Sequence, residues 1–515
     1  MSLRIGIDVG GTNTDAVVVD GQKVVAWAKV PTTPDVASGI ERVLRDVVAS
    51  SGAPVDSMDA VMLGTTHFAN AIVQRRNLSR VGVIRLSLPV GTAVPPLEDW
   101  PPELRESIAP VVHQVHGGFE VIGVPVSPLD PSEIDRALGE FAREGIRNIA
   151  VTGVFSPMDT SQEEWVAARV RERIPGARLS LGKDIGTLGL LERENACVLN
   201  AALADLAEEV VDGFEAAIRE SGLKAKIFLT QNDGTLMSAE TAKKYPVRTV
   251  GSGPTNSMRG AASITGLKDV VVVDVGGTTT DVGVLVHGFP RPAALTVSLG
   301  GVRTNFRMPD VFSLGLGGGS RIHGDGDSLQ IGPDSVGYRL TEEALVFGGR
   351  TPTVTDSAVA VGRLALGQAD RLGSYEPGWG GRVQSRVAEM VSAAIDRMKT
   401  SAGDVTVVLV GGGAVCVPER LDGVREVLRP PYSQVANALG AALAQVGAEV
   451  DRVQDLEPVH RKERLEELRN DVIQEAVLAG ARAETADVVE IDETPLAYMP
   501  GHQVRVRMRA VGDLP

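Results

Sequence analysis

Short apolar runs recur along the chain, bounded by glycine, asparagine or aspartate, and alternate with segments whose apolar residues repeat at helical spacing. Residues 3–8 read as a strand that turns through glycines into a second strand at 16–20. Asp20-Gly21, a two-residue hairpin signal, then leads into a third at 24–30. Ile40, Val43, Leu44, Val47 and Val48 share one helical face. Strand and helix patterns alternate through 81–86, 134–143 and 149–155, as in an α/β domain, while the proline-rich stretch 88–110 is expected to be irregular. After a helical region over 189–221 the opening pattern begins again, with strands at 270–275 and 281–286 around Gly276-Gly277. The glycine-rich stretch 290–351 reads as loop and hairpin insertion. Residues 405–410 form a buried-type strand ending in Gly411-Gly412-Gly413, and a helix is expected at 435–446. Beyond Gly447 the composition turns charged, with a helix over 462–479 and strands at 486–491 and 503–509. The expected units are therefore an N-terminal lobe over 1–185, a second lobe over 186–450 and a small C-terminal α+β module over 451–515.

A chain of 515 residues exceeds one ordinary core, which supports the division into lobes. No apolar run approaches the ~18 residues of a membrane helix, and the first residues run directly into a strand, so the expectation is a cytoplasmic protein without a leader or a membrane partner. A net charge of -15 without clustered Lys and Arg argues against nucleic-acid binding. The two cysteines, Cys197 and Cys416, are too few for a disulfide framework or a Cys-rich zinc site and read as small buried hydrophobes. His323, Asp325 and Asp327 alternate, but glycines interrupt them, and they read as an exposed hairpin rather than a metal site.

The one internal repeat carries the chemistry. Residues 8–15 read DVGGTNTD and residues 274–281 read DVGGTTTD. A strand ending in Asp and turning through Gly-Gly-Thr lets backbone amides approach phosphate oxygens, adds hydroxyl donors, and leaves a carboxylate able to hold Mg2+ directly or through water. Neither copy continues into Gly-Lys-Ser/Thr, so this is not a Walker loop. Two copies flanked by apolar strands are expected to form a clamp on one phosphorylated ligand, with one loop from each half. Asp15 and Asp281 read as strand-start or turn residues.

Further blocks resemble the hydantoinase A/oxoprolinase family, the ATP-dependent, cyclic-amide-opening branch of the actin-like ATPases. They are Gly64-Thr65-Thr66-His67-Phe68-Ala69-Asn70-Ala71, the helix Leu191 to Ala201 with Glu192-Arg193 and Leu199-Asn200-Ala201, Gln231-Asn232-Asp233-Gly234, and Pro246-Val247-Arg248-Thr249-Val250-Gly251-Ser252-Gly253-Pro254. Leu316-Gly317-Gly318-Gly319-Ser320, Pro352-Thr353-Val354-Thr355-Asp356 and Gly411-Gly412-Gly413 complete the order. Two departures bear on substrate identity: Gly413 leads into Ala414-Val415-Cys416 where the family usually continues to His, and Tyr498-Met499-Pro500-Gly501-His502-Gln503 only loosely resembles the family's closing motif.

The resemblance implies an α/β fold of two ribonuclease H-like, actin-like ATPase lobes around a central cleft, with ATP and Mg2+ as cofactors. It implies that Asp8 organises Mg2+, that Asp274 is a catalytic or metal-side carboxylate, and that Gly10, Gly11, Thr12, Asn13, Thr14, Gly253, Gly276, Gly277, Thr278 and Thr279 surround the phosphates. Gly411, Gly412 and Gly413 would pass under the adenosine, and Thr65, Thr66, His67, Glu194, Arg248 and Asp356 would lie near the acceptor. A lone His such as His67 is also commonly structural. The implied activity is phosphorylation of the amide carbonyl of a hydantoin, oxoproline or related cyclic amide to drive ring opening, with hydrolysis completed by a second subunit; a homo-oligomer is compatible with it. Two rivals use the same loops: a self-sufficient small-molecule kinase and a non-catalytic ATP-binding regulator.

Overall fold

The computed structural model describes residues 3–32, 36–293, 296–373, 375–497, 499 and 501–514. Tyr498 and Pro500 of the closing motif lie outside the described residues. The architecture is α/β, as expected, with two large sheets that begin alike.

Among the described residues, nine strands form the first sheet. Within it Leu3–Val9 is buried on both faces and therefore almost continuously apolar. Asn13–Asp20 and Lys23–Pro31 extend it antiparallel on one side; Met58–Thr65 and then Lys226–Thr230 continue it in parallel on the other. The helix Val36–Ser51 lays Ile40, Val43, Leu44 and Val47 onto the core that Ile5, Ile7 and Val18 share. The second sheet repeats the plan: Val270–Val275 pairs antiparallel with Thr280–Val286 and in parallel with Val405–Val410. A separate parallel sheet of Val111–His116, Val81–Leu88, Asn148–Gly153 and Arg178–Leu181 packs beside the first.

Several local expectations change. The stretch over 88–110 contains the helix Pro102–Ile108, whose Leu104 and Ile108 are buried. The helix expected over 435–446 is only Ala436–Ala442, because Val446 already starts the strand Val446–Asp455. His67 opens the helix His67–Gln74 rather than lying in a loop. The C-terminal helix Arg461–Leu478 and strands Asp487–Pro495 and Gln503–Gly512 exist, but their sheet does not stand apart. Val446–Asp455 pairs in parallel with Leu236–Ser238 and antiparallel with Gln503–Gly512, so the first sheet runs on into the C-terminal strands. Sheet membership thus cuts across residues 185 and 450, because Lys226–Thr230, Val446–Asp455 and the two C-terminal strands belong to the first sheet.

The two sheets meet through a helix crossing. Ser252–Thr265 and Ala436–Ala442 pack so closely that a Cβ on Gly260 would stand 2.0 Å from the Ala436 carbonyl oxygen, and one on Gly440 would stand 1.9 Å from that of Asn256. Gly6 in the central strand admits the same short helix, since its Cβ would lie 2.0 Å from the Ala438 oxygen. Backbone cannot retreat as a flexible side chain can, so each extra methyl forces the crossing apart. Gly260→Ala is expected to lower unfolding stability by about 1–3 kcal/mol. Gly139→Ala, in the helix Pro131–Arg143 with open space around it, is expected to be neutral or to stabilise by up to ~1 kcal/mol. Urea denaturation of both variants checks the contrast.

Candidate functional site

The two repeated loops fold alike. The Gly10 amide donates to the Asn13 carbonyl at 3.0 Å and the Gly276 amide to the Thr279 carbonyl at 2.9 Å. In register, Asp8 stands opposite Asp15 and Asp274 opposite Asp281. The loops face each other closely, since a Cβ on Gly277 would lie 3.0 Å from Thr12 Oγ1. The second loop is braced from outside: Gly318 and Gly319 amides donate to the Gly276 and Gly277 carbonyls at 3.0 and 2.8 Å, and the Gly413 amide to the Val275 carbonyl at 2.8 Å. The Gly315–Gly319 run, expected as part of an insertion, is therefore part of the site.

Between the loops lies a cavity of about 400 Å3. Asp8, Gly10, Gly11, Thr12, Asn13, Asp274, Gly276, Gly277, Thr278, Thr279, Gly253, Thr66 and Gly411 to Gly413 all line it. Leu340, Leu364, Leu366, Val415 and Cys416 also line it, apolar surface of the kind that suits a flat ring, and so does Gln434. Burial pushes the Cys416 thiol up to about 11, so it stays neutral, a small hydrophobe as its sequence context suggests.

Other expected residues lie elsewhere. Thr14 is buried beside Thr32. Thr65 Oγ1 bonds His67 Nδ1 at 2.5 Å, the His67 ring meets Phe214 edge-on, and burial pushes its pKa down, leaving a neutral packed imidazole. Glu194 is buried against Arg85, accepting from Nη2 at 2.6 Å. Arg248 donates to the Asp184 carbonyl at 2.8 Å, stacks on Tyr245 and lines a different cavity. Asp356 caps its own helix, Val354–Ala360, by accepting from the Thr353 and Val346 amides. His323 bonds Asp334 and Asp325 caps a short turn and pairs with Arg382, as an exposed hairpin would have it. Of the six acceptor candidates, only Thr66 reaches the cavity.

Sequence reasoning missed five side chains. Asp15 and Asp281 do begin strands, but they also line the cavity and are buried. Lys29 lies opposite Asp15 and pairs with it at 2.9 Å; the hairpin register pointed there, but a bulge at Val18/Val19 shifts the count by one residue. Asn437, from the short crossing helix, donates to Asp8 Oδ2 at 3.2 Å. Ser257, from the other crossing helix, bonds Asn437 Oδ1 at 2.8 Å and also Asp274 Oδ2. The two loop aspartates are thus joined by Asp8, Asn437, Ser257 and Asp274 in series.

Burial pushes the Asp8 carboxyl up to about 7, reinforced by Asp15 and opposed by the Asn437 amide, and pushes Asp274 up to about 6. Asp8 Oδ1 is buried with no hydrogen-bond partner. Four carboxylates and one lysine line the cavity, so one or two carboxylates are available to a divalent cation. Among the described residues no group of three His, Cys, Asp or Glu forms a ready-made metal cage. Mg2+ typically takes one or two carboxylates and completes its shell with water and phosphate oxygens.

Two models of one family match the chain: the hydantoinase/oxoprolinase N-terminal region over residues 4–174 and hydantoinase/oxoprolinase over residues 193–372. The caprolactamase alpha subunit of Pseudomonas jessenii is 27% identical over 79% of this chain, and the acetophenone carboxylase gamma subunit of Aromatoleum aromaticum 28% over 70%. The chain spans only 61% and 53% of those relatives' own lengths. The crystal structure of the ATP-dependent caprolactamase from Pseudomonas jessenii superposes with a TM-score of 0.78 at 21% identity, covering 99% of this chain and 88% of that one. A nucleotide-free acetone carboxylase superposes at 0.72 and 20%, with the same coverage. At such identities the likeness speaks for the fold.

A carboxyl whose folded pKa is raised holds its proton where the unfolded chain has already lost it. Stability therefore falls as pH rises from about 4 to about 7, and the cost persists above. At ~1.4 kcal/mol per pKa unit, metal-free Asp8→Asn is expected to exceed the parent in stability by on the order of 2–4 kcal/mol at pH 8, with the gap narrowing toward pH 5. Thermal unfolding in chelator across that range measures it.

Proposed function

Because the chain belongs to the hydantoinase/oxoprolinase family, we propose that it is the phosphorylating part of an ATP-dependent enzyme that activates the carbonyl of a small cyclic amide for ring opening. The observation that carries this reading is the pair of matched phosphate loops facing one cavity, with their aspartates joined through Asn437 and Ser257.

An unstrained cyclic amide is a poor electrophile and recloses readily. Transfer of the terminal phosphoryl group of ATP to the amide oxygen forms a P–O bond there, breaks the bond to the ADP oxygen, and leaves a ring carbon that water can attack; the adduct opens by breaking the C–N bond as the nitrogen takes up a proton, and the acyl phosphate so formed is hydrolysed to carboxylate and phosphate. Little of this is covalent work for the protein, so positioning and charge control dominate. Backbone amides at Gly11 and Gly277, with the Thr12 and Thr278 hydroxyls, hold the phosphates from both sides. Asp8 and Asp274 would hold Mg2+, which when bound neutralises phosphate charge. Gly411 to Gly413 and the apolar surface at Leu364 and Val415 take the nucleoside, and Thr66 and Gly253 stand at the acceptor side. The relatives' names support carbonyl chemistry and divided labour: one is a lactamase subunit, another a ketone carboxylase subunit. The second subunit would complete hydrolysis.

Asp8→Ala and Asp274→Ala are each expected to reduce ATP turnover by about 100-fold or more with the fold retained. Following phosphate release and ring opening separately, over a panel of hydantoins, oxoproline and lactams, should show amide-stimulated phosphate release by the chain alone with ring opening lagging behind. Ring opening that keeps pace with phosphate without a second polypeptide would mean a complete hydrolase, and phosphorylation of a hydroxyl or carboxylate instead would mean a simple kinase.

A further inference from the structure

The two lobes carry the same side-chain row with one difference. In an antiparallel sheet directly opposed residues share a face, so neighbouring strands align their side chains across the strands. In the first sheet that row is Asp8, Asp15, Lys29. In the second it is Asp274, Asp281, Ser313, because Asp281 stands opposite Ser313 on the strand Val311–Leu314. Both outer residues bond the second aspartate: Lys29 Nζ reaches the Asp15 carboxylate at 2.9 Å, and the Ser313 hydroxyl donates to Asp281 Oδ1.

The second lobe is an internal control. There a neutral hydroxyl suffices to partner a buried aspartate in the same setting, so partnering Asp15 does not itself demand a charge. Lys29 is also the single cation among the residues that line the phosphate cavity. It spans the cleft: a Cβ at Gly412, on the turn from the opposite sheet, would lie 3.7 Å from its Nζ. An ammonium has three donors and no acceptor, so its one hydrogen bond to Asp15 Oδ2 leaves donors for a ligand. The side chain is about a quarter exposed, free to meet a ligand.

We propose that Lys29 is a nucleotide-contacting catalytic residue, which shares its ammonium between Asp15 and the phosphates and supplies the chain's own positive charge in phosphoryl transfer. The inference rests on the nucleotide reading above for the identity of the ligand. The charge balance points the same way, because four carboxylates repel a polyphosphate and Lys29 is felt by Asp8, Asp15 and Asp274 alike.

The test compares the two members of the pair. In chelator, affinity for ADP and ATP is measured by calorimetry for the parent chain, Lys29→Ser, Lys29→Met and Asp15→Asn, and turnover is measured with Mg2+. Lys29→Ser copies the second lobe's row and should keep the fold, as thermal unfolding would report. If Lys29 serves phosphate, Lys29→Ser and Lys29→Met weaken nucleotide binding by about tenfold or more, the size of a lost charge-assisted contact. Asp15→Asn, which frees the ammonium and removes a repelling charge, leaves affinity unchanged or raises it. If the pair is only structural, all three variants lose stability together and metal-free affinity does not separate them, which overturns the proposal. A parent chain that binds neither nucleotide refutes the nucleotide reading itself; a parent that binds while the lysine variants bind equally well refutes only the role of Lys29.

Discussion

The close crossing of the helices Ser252–Thr265 and Ala436–Ala442 is the constraint on which the rest depends. Three glycines, Gly6, Gly260 and Gly440, bring backbone to within a distance that no side chain tolerates. That approach delivers Asn437 to Asp8 and Ser257 to Asp274. A serine hydroxyl has one proton for its two neighbours, Asn437 Oδ1 and Asp274 Oδ2, so with the Asn437 NH2 group committed to Asp8 both bonds are made together only when Asp274 carries a proton. Asn437 must also turn its NH2 group toward Asp8, since its carbonyl would face an acceptor there. Geometry at the bottom of the cleft is in this way tied to how the two sheets dock.

Buried charge elsewhere serves architecture. Arg85 and Glu194 are wholly buried and satisfy each other, with the Leu97 amide donating to the same carboxylate. Arg193, next in the same helix, donates to the carbonyls of Gly153, Thr187 and Leu188, while Glu163 accepts from the Gly153 and Lys183 amides. Removing one partner would strand a charge in the interior, which usually costs about 3–5 kcal/mol. Arg193 and Glu194 are therefore a staple between the helix Leu190–Ala202 and the parallel sheet, a role that a motif placed near a cleft by resemblance does not reveal.

This marks what the chain made legible. The repeat at 8–15 and 274–281, the strands around it and Gly411 to Gly413 were readable because turn chemistry and apolar periodicity are local. So was the fold class, since two lobes that open alike follow from the repeat. Residues whose role depends on long-range packing were not: Asn437 lies 429 positions from Asp8, and Ser257 180 from Asn437. Asp356 and Glu194 show the converse, polar residues in recognisable blocks whose partners are caps and buried cations. The C-terminal strands were found as elements, but edge pairing with Val446–Asp455, which makes them part of the first sheet, is a tertiary fact.

The cavity shares a wall with a second space. Asn232 accepts from the Gly251 amide at 2.7 Å and donates to the Val247 carbonyl, so it anchors the start of the helix whose Gly253 and Pro254 line the phosphate cavity. On its other side Asn232 lines a cavity of about 350 Å3 with Arg248, Asp233 and residues of the C-terminal strands. The Gln231-Asn232-Asp233-Gly234 and Pro246 to Pro254 blocks therefore form one wall between two spaces. A displacement of that wall would be felt at the helix N-terminus and, through Ser257 one turn further on, at Asp274. The blocks that looked like separate motifs in the chain are, in three dimensions, one partition whose position the carboxylate chain registers.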